Sequence, residues 1–114
     1  MLRGIGESQG SEVVAEAANG QEAIDASERL KPDLILLDIS MPTMGGFPAA
    51  RHFRKNCPEL PFIFVSQHRD QFYCDEALEC GARGYVIKSA AATELPVALV
   101  AFKTGQVYRS NLIT

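Results

Sequence analysis

The chain has 114 residues, enough for one domain with a single sizeable core and too few for two. It is 46% hydrophobic and 22% charged with a net charge of -3, an ordinary globular composition without the basic footprint of a nucleic-acid binder, so any contact with DNA is expected through another domain or chain. No stretch approaches the ~20 apolar residues of a membrane helix, and MLRGIGESQG lacks the apolar core of a signal peptide. Cys57, Cys74 and Cys80 show no CxxC spacing, so neither a disulfide framework nor a zinc site is implied. All three are expected to be plain helix residues in a reduced, cytoplasmic setting.

In chain order, SEVVAEAANG predicts a short strand around Val13 and Val14 that ends at Asn19-Gly20, with Asn19 available as a cap. GQEAIDASERL follows with Ala23, Ile24, Ala26 and Leu30 on one helical face, and Pro32 closes that helix. DLILLD, residues 33–38, has four consecutive apolar residues, the pattern of a strand buried on both faces in a parallel sheet. The loop SMPTMGG leads to a helix through FPAARHFRKN, with Pro48 in its first turn. PFIFVS, residues 61–66, predicts another buried strand. A helix is expected over about Asp70 to Cys80 with Gly81 as its stop, then a short strand in GYVIK, residues 84–88. The last helix is predicted from about Thr93 to Lys103, capped by Thr93 or Ser89, with Pro96 in its first turn and Gly105 ending it. The tail QVYRSNLIT gives no clear pattern.

Four strands alternating with helices predict an α/β domain over residues 1–114 with a parallel sheet and right-handed crossovers. Chemistry in such sheets lies beyond the carboxyl ends of the strands. Asp38, Ser66 and Lys88 each end one predicted strand, so an acid, a hydroxyl and an amine converge on one crevice. Taken singly, each is ordinary: a strand-end Asp or Ser is often a cap, and a Lys after an apolar run is often only solvated. Their occurrence at three equivalent strand ends is what singles them out.

Asp38 in LLDISMP, Ser66 in FVSQH and Lys88 in GYVIK together resemble the signature of response-regulator receiver domains of two-component signalling. ANGQEAI and GARGYVIKSA are similar to the subtype that precedes a LuxR-type helix-turn-helix domain. The resemblance extends from about Val13 to about Tyr108. It implies a flavodoxin-like doubly wound parallel sheet of order 2-1-3-4-5, with Asp38 as the acceptor of a phosphoryl group from a sensor histidine kinase. It further implies that Ser66 hydrogen-bonds the phosphoryl group, that Lys88 pairs with it, and that the backbone carbonyl of Ser40 helps hold Mg²⁺ beside Asp38. Pro42 would shape the loop, and Tyr85 would be an aromatic switch that turns inward. The output face would be the helix at Asp70–Cys80, the strand at 84–87 and the last helix, used for a homodimer or an effector domain that controls transcription.

The sequence departs from that pattern at its beginning. MLRGIGES resembles the end of the family's first helix, so the family's first strand and the adjacent acidic pair that holds Mg²⁺ are expected to be missing. The one adjacent acidic pair in the chain, Asp75-Glu76, falls on a later helix. Mg²⁺ binding and phosphorylation are therefore expected to be weak, because an ion that favours octahedral oxygen coordination is left with one carboxylate and one carbonyl. The exposed strand edge is expected to destabilise the domain, to pair with a second copy, or to be covered by the Val13 strand. Two alternatives remain: a phosphorylation-independent pseudo-receiver, and an aspartyl phosphatase. The second needs an acid two residues beyond the nucleophile, where this chain has Ser40. GIGESQG has the wrong glycine spacing for a dinucleotide loop and no preceding strand. His68 is expected to be a solvated loop histidine, and His52 receives no role.

Overall fold

The computed structural model describes residues 13–18, 20–39, 51 and 55–114. Its elements are β1 (Val14–Ala17), α1 (Gly20–Leu30), β2 (Leu34–Ile39), β3 (Phe62–Ser66), α2 (Gln71–Glu79), β4 (Gly84–Ile87), a 3₁₀ turn at Lys88–Ala90, α3 (Ala91–Lys103) and β5 (Tyr108–Arg109). Arg51, Lys55 and Asn56 are also helical, within the helix expected through FPAARHFRKN. Asn19, Pro48 and His52 lie outside the described residues.

The five strands form one parallel sheet in the order β1-β2-β3-β4-β5. The continuous apolar runs are explained by this placement. Ile35, Leu37, Phe62, Phe64, Tyr85 and Ile87 face a core completed by Ala23 and Ala26 of α1 and by Cys74 and Ala77 of α2. Leu34, Leu36, Ile63, Val65 and Val86 face the opposite core, against Leu95, Ala98 and Leu99 of α3. Alternate residues serve alternate faces and both faces are covered, so every position must be apolar.

Four of the strands are those expected from the sequence. The fifth, Tyr108–Arg109, comes from the tail that gave no pattern. It pairs with β4 through Gly84↔Tyr108 and Tyr85↔Arg109. Among the described residues the order is sequential, because β1 pairs directly with β2 from Val14↔Leu34 to Ala17↔Leu37. Asp33 fixes this edge. Its carboxylate accepts from Val13 N at 2.9 Å, and its own N–H donates to the Val13 carbonyl at 2.7 Å. Of the three fates expected for the strand edge, the structure shows the covered one.

The helix ends aim the loops. Asp70 is the N-cap of α2, accepting from Phe72 N at 2.8 Å. Gly81 and Gly105 follow α2 and α3 with φ of 101° and 81°, left-handed values that favour glycine. Three expectations are corrected. The last helix starts at Ala91, capped by Ala90 with no side-chain bond, so neither Thr93 nor Ser89 caps it. Pro96 consequently lies inside the helix and not in its first turn. Cys57 precedes a turn outside any helix and Cys80 is the C-cap of α2, leaving Cys74 as the cysteine within a described helix.

Candidate functional site

The parallel register brings the singled-out residues to one end of the sheet. Ile39 is level with Ser66, and Ser66 is level with Ile87, so Asp38, Ser66 and Lys88 emerge from neighbouring strands at the same height. Lys88 Nζ lies 3.1 Å from Asp38 Oδ2, an ion pair with the lysine side chain 43% and the aspartate side chain 19% exposed. Asp38 Oδ1 is buried and has no hydrogen-bond partner among the described residues. A carboxylate oxygen in that condition is costly, since burial removes water without supplying a donor.

Ser66 is not hydrogen-bonded to Asp38. It is fully buried, and its Oγ accepts from the backbone N–H of His68 at 3.1 Å. Tyr85, also fully buried, donates its hydroxyl to the carbonyl of the same His68 at 2.8 Å. One backbone unit of the β3–α2 loop thus joins the serine to the tyrosine. The His68 ring stacks on Tyr73 with centroids 4.6 Å apart and planes at 17°, which secures the loop from the other side. Burial pushes the Tyr85 phenol up to about 12 from 10.0, against a smaller opposing effect of the Ser66 hydroxyl beside it. The tyrosine side chain is thus wholly inside the core, between β4 and the β3–α2 loop.

A cleft of about 500 Å³ opens beside Asp38, between the carboxyl end of β1 and α1, with Glu16, Glu22, Asp25 and Arg29 on its walls. On the other side of the ion pair, Gln67, Arg69, Lys88 and Ser89 line a cleft of about 330 Å³. Although several acids face the first cleft, the described residues contain no group of three side chains placed to hold a metal ion. Ser40 and Pro42 lie outside the described residues.

Residues 1–100 match the response regulator receiver domain family. This chain belongs to that family. Among curated relatives, the transcriptional regulatory protein DegU of Brevibacillus brevis is 35% identical over 90% of this chain and 44% of its own length. The chemotaxis protein CheY of Thermotoga maritima is 38% identical over 77% of this chain and 73% of its own. A LuxR-family two-component response regulator from Aurantimonas sp. SI85-9A1 superposes with a TM-score of 0.74 at 35% identity, covering 89% of this chain and 72% of that one. The chain spans about half the length of several curated relatives that it matches.

As a receiver domain the chain is a signalling module and not an enzyme, which sets aside the phosphatase alternative. Its α/β fold with a five-stranded parallel sheet agrees with that of the family. Among the described residues, no helix is long and apolar enough to cross a membrane. Two features of this receiver were not anticipated from the sequence. His68 was expected to be a solvated loop residue, yet its backbone joins Ser66 to Tyr85 and its ring is stacked. Glu94 drew no attention in AATELPVALV, yet it is buried at 8% exposure and fully engaged in hydrogen bonds. An acid in the phase of Leu95, Ala98 and Leu99, on an otherwise apolar face, was the available signal.

Proposed function

We propose that this receiver takes a phosphoryl group from the phosphohistidine of a sensor kinase onto Asp38 and uses it to switch an output surface. In the transfer a carboxylate oxygen of Asp38 bonds to phosphorus, the phosphorus–nitrogen bond to the histidine breaks, and the imidazole leaves with the bonding pair. Lys88, already 3.1 Å from the carboxylate, would follow the charge to the new phosphoryl oxygens as a point-charge partner. Ser66 would rotate its hydroxyl from the His68 amide toward the phosphoryl group. The ion pair is the observation that supports this reading most, because it places a cation where transferred negative charge arrives.

The fit to Mg²⁺ is incomplete among the described residues. Asp38 Oδ1 is a buried oxygen with no hydrogen-bond partner among the described residues, but these residues hold no group of three or more ligating side chains around it. We therefore assign the ion to Asp38, with the Ser40 carbonyl as a proposed second ligand, and expect weak binding. No step above depends on the ion. The same observation favours the alternative of a phosphorylation-independent interaction module. Labelling with acetyl phosphate decides between them. Label on the wild type that is lost in Asp38→Asn supports the phosphoacceptor, whereas no label at high Mg²⁺ and donor leaves the interaction module.

The relatives named as transcriptional regulators suggest an output on transcription, with DNA touched through a separate helix-turn-helix domain. The face formed by α2, β4 and α3 is the proposed site of homodimer or effector contact. A cytoplasmic location follows from partnership with the kinase domain of a two-component system.

A further inference from the structure

We infer that Glu94 is a positioning residue for Lys88, and that Ser110 is its second anchor, so that the C-terminal segment is a working part of the phosphoryl-binding end of the sheet. The inference rests on the reading of Asp38 as the phosphoacceptor and extends it to residues outside the three strand ends.

The argument begins with an unmatched donor. β5 consists of Tyr108 and Arg109, and the last contact of the tail with β4 is Ser110 N donating to the Tyr85 carbonyl at 3.1 Å. Beyond it, the N–H of Ile87 has no strand residue opposite. Buried backbone donors need an acceptor. Glu94 supplies one, its Oε1 accepting from Ile87 N at 3.0 Å. The carboxylate thus takes the place of the next rung of the ladder. Its other oxygen, Oε2, accepts from Ser110 Oγ at 2.6 Å, and Ser110 Oγ in turn accepts from Leu112 N at 3.1 Å. A buried charge is tolerable only when its oxygens are engaged in this way.

Ile87 is the residue from which Lys88 departs. The chain turns there through the 3₁₀ segment Lys88–Ala90 into α3, and neither that turn nor α3 has a side-chain cap. The corner that aims Lys88 at Asp38 is therefore fixed from within by Glu94, reaching back from the first turn of α3. The direction of the lysine stem, and with it the 3.1 Å ion pair, follows from that corner. Leu112 and Ile113 pack against the core cluster that includes Tyr85, which keeps Ser110 in place.

The test reads Lys88 placement directly. Lysines of the full chain are labelled with an acylating reagent and the rates at Lys88 and at exposed Lys31 are compared by mass spectrometry. In Glu94→Ala, Lys88 is expected to react about fivefold faster relative to Lys31, the factor corresponding to one typical net hydrogen bond. Glu94→Gln retains an acceptor for Ile87 N–H and is expected to restore the wild-type ratio, while Ser110→Ala raises it about twofold, by a weaker loss of the same kind. An unchanged ratio in Glu94→Ala, or an equal rise at both lysines, overturns the inference. If Glu94→Ala does not fold, Ser110→Ala carries the same decision. Binding of beryllofluoride with Mg²⁺, followed by fluorine NMR, separates the two levels of the argument. Absence of binding in the wild type overturns the phosphoacceptor reading, while the lysine ratios still decide whether Glu94 places Lys88.

Discussion

The hydroxyl of Tyr85 donates to the carbonyl of His68 at 2.8 Å, across 17 residues of sequence and between β4 and the loop after β3. That loop also satisfies Ser66, so the tyrosine and the serine share one backbone unit. Tyr85→Phe keeps the ring in the core and deletes the bond. It should cost about 1 kcal/mol in urea unfolding with an unchanged m-value, the usual net worth of such a bond. A cost near zero would mean that solvent or another donor satisfies His68 as well.

The same phenol predicts an alkaline limit. Its ordinary value of 10.0 is pushed up to about 12 in the fold, chiefly because burial disfavours phenolate. The folded value lies above the unfolded one, so the neutral phenol contributes stability that is fully present below pH 10 and is lost as pH rises through about 12. Stability followed by circular dichroism should fall across that window, and Tyr85→Phe should flatten the fall. Equal slopes in the two proteins would remove Tyr85 as the cause.

Much of this arrangement was legible in the sequence. The strands around Leu34–Leu37, Phe62–Val65 and Tyr85–Ile87 declared themselves because burial on both faces leaves no polar position. Asp70, Gly81 and Gly105 marked helix ends through local chemistry that needs no tertiary information. What escaped was decided by partners distant in the chain. Tyr108 and Arg109 form a strand only because β4 presents an edge to them. Asp33 gives no hint that its carboxylate will bind Val13. Ser66 was placed correctly at the end of its strand, but that its hydroxyl is held by the His68 amide depends on the path of the next loop.

The ion pair between Arg109 and Asp75 is short, at 2.8 Å, but both side chains are substantially exposed, at 39% and 45%. Solvent screening and side-chain entropy consume most of the attraction in such pairs. Arg109→Ala is expected to change unfolding stability by less than about 1 kcal/mol. A larger loss would show that the pair anchors β5 on the sheet edge, and would be accompanied by faster exchange of the Ser110 amide.

Lys31 has φ of 47° immediately after α1, a left-handed value for a residue with a Cβ. Its side chain is exposed, and its N–H closes the helix on the Ser27 carbonyl at 3.2 Å. Glycine adopts this conformation without the clash, at some entropic cost in the unfolded chain. Lys31→Gly should therefore be neutral to stabilising, by up to about 1 kcal/mol. Thermal unfolding at fixed salt measures this, and a destabilised variant would show that the lysine stem packs where its exposure suggests it does not.

Pro96 offers the larger gain. It stands inside α3 on the exposed side, where its ring opposes the carbonyl one turn earlier, at Ala92, and no N–H is available to bond it. Leu95, Ala98 and Leu99, which hold the helix against the sheet, are untouched by a change at this position. Pro96→Ala restores one rung of the helix and removes the clash, for an expected gain of about 1–3 kcal/mol. Some of that gain is offset because proline also restricts the unfolded chain. Paired urea titrations of the two proteins provide the measurement. A variant no more stable than the parent would mean that α3 bends at Pro96 and that its packing depends on the bend.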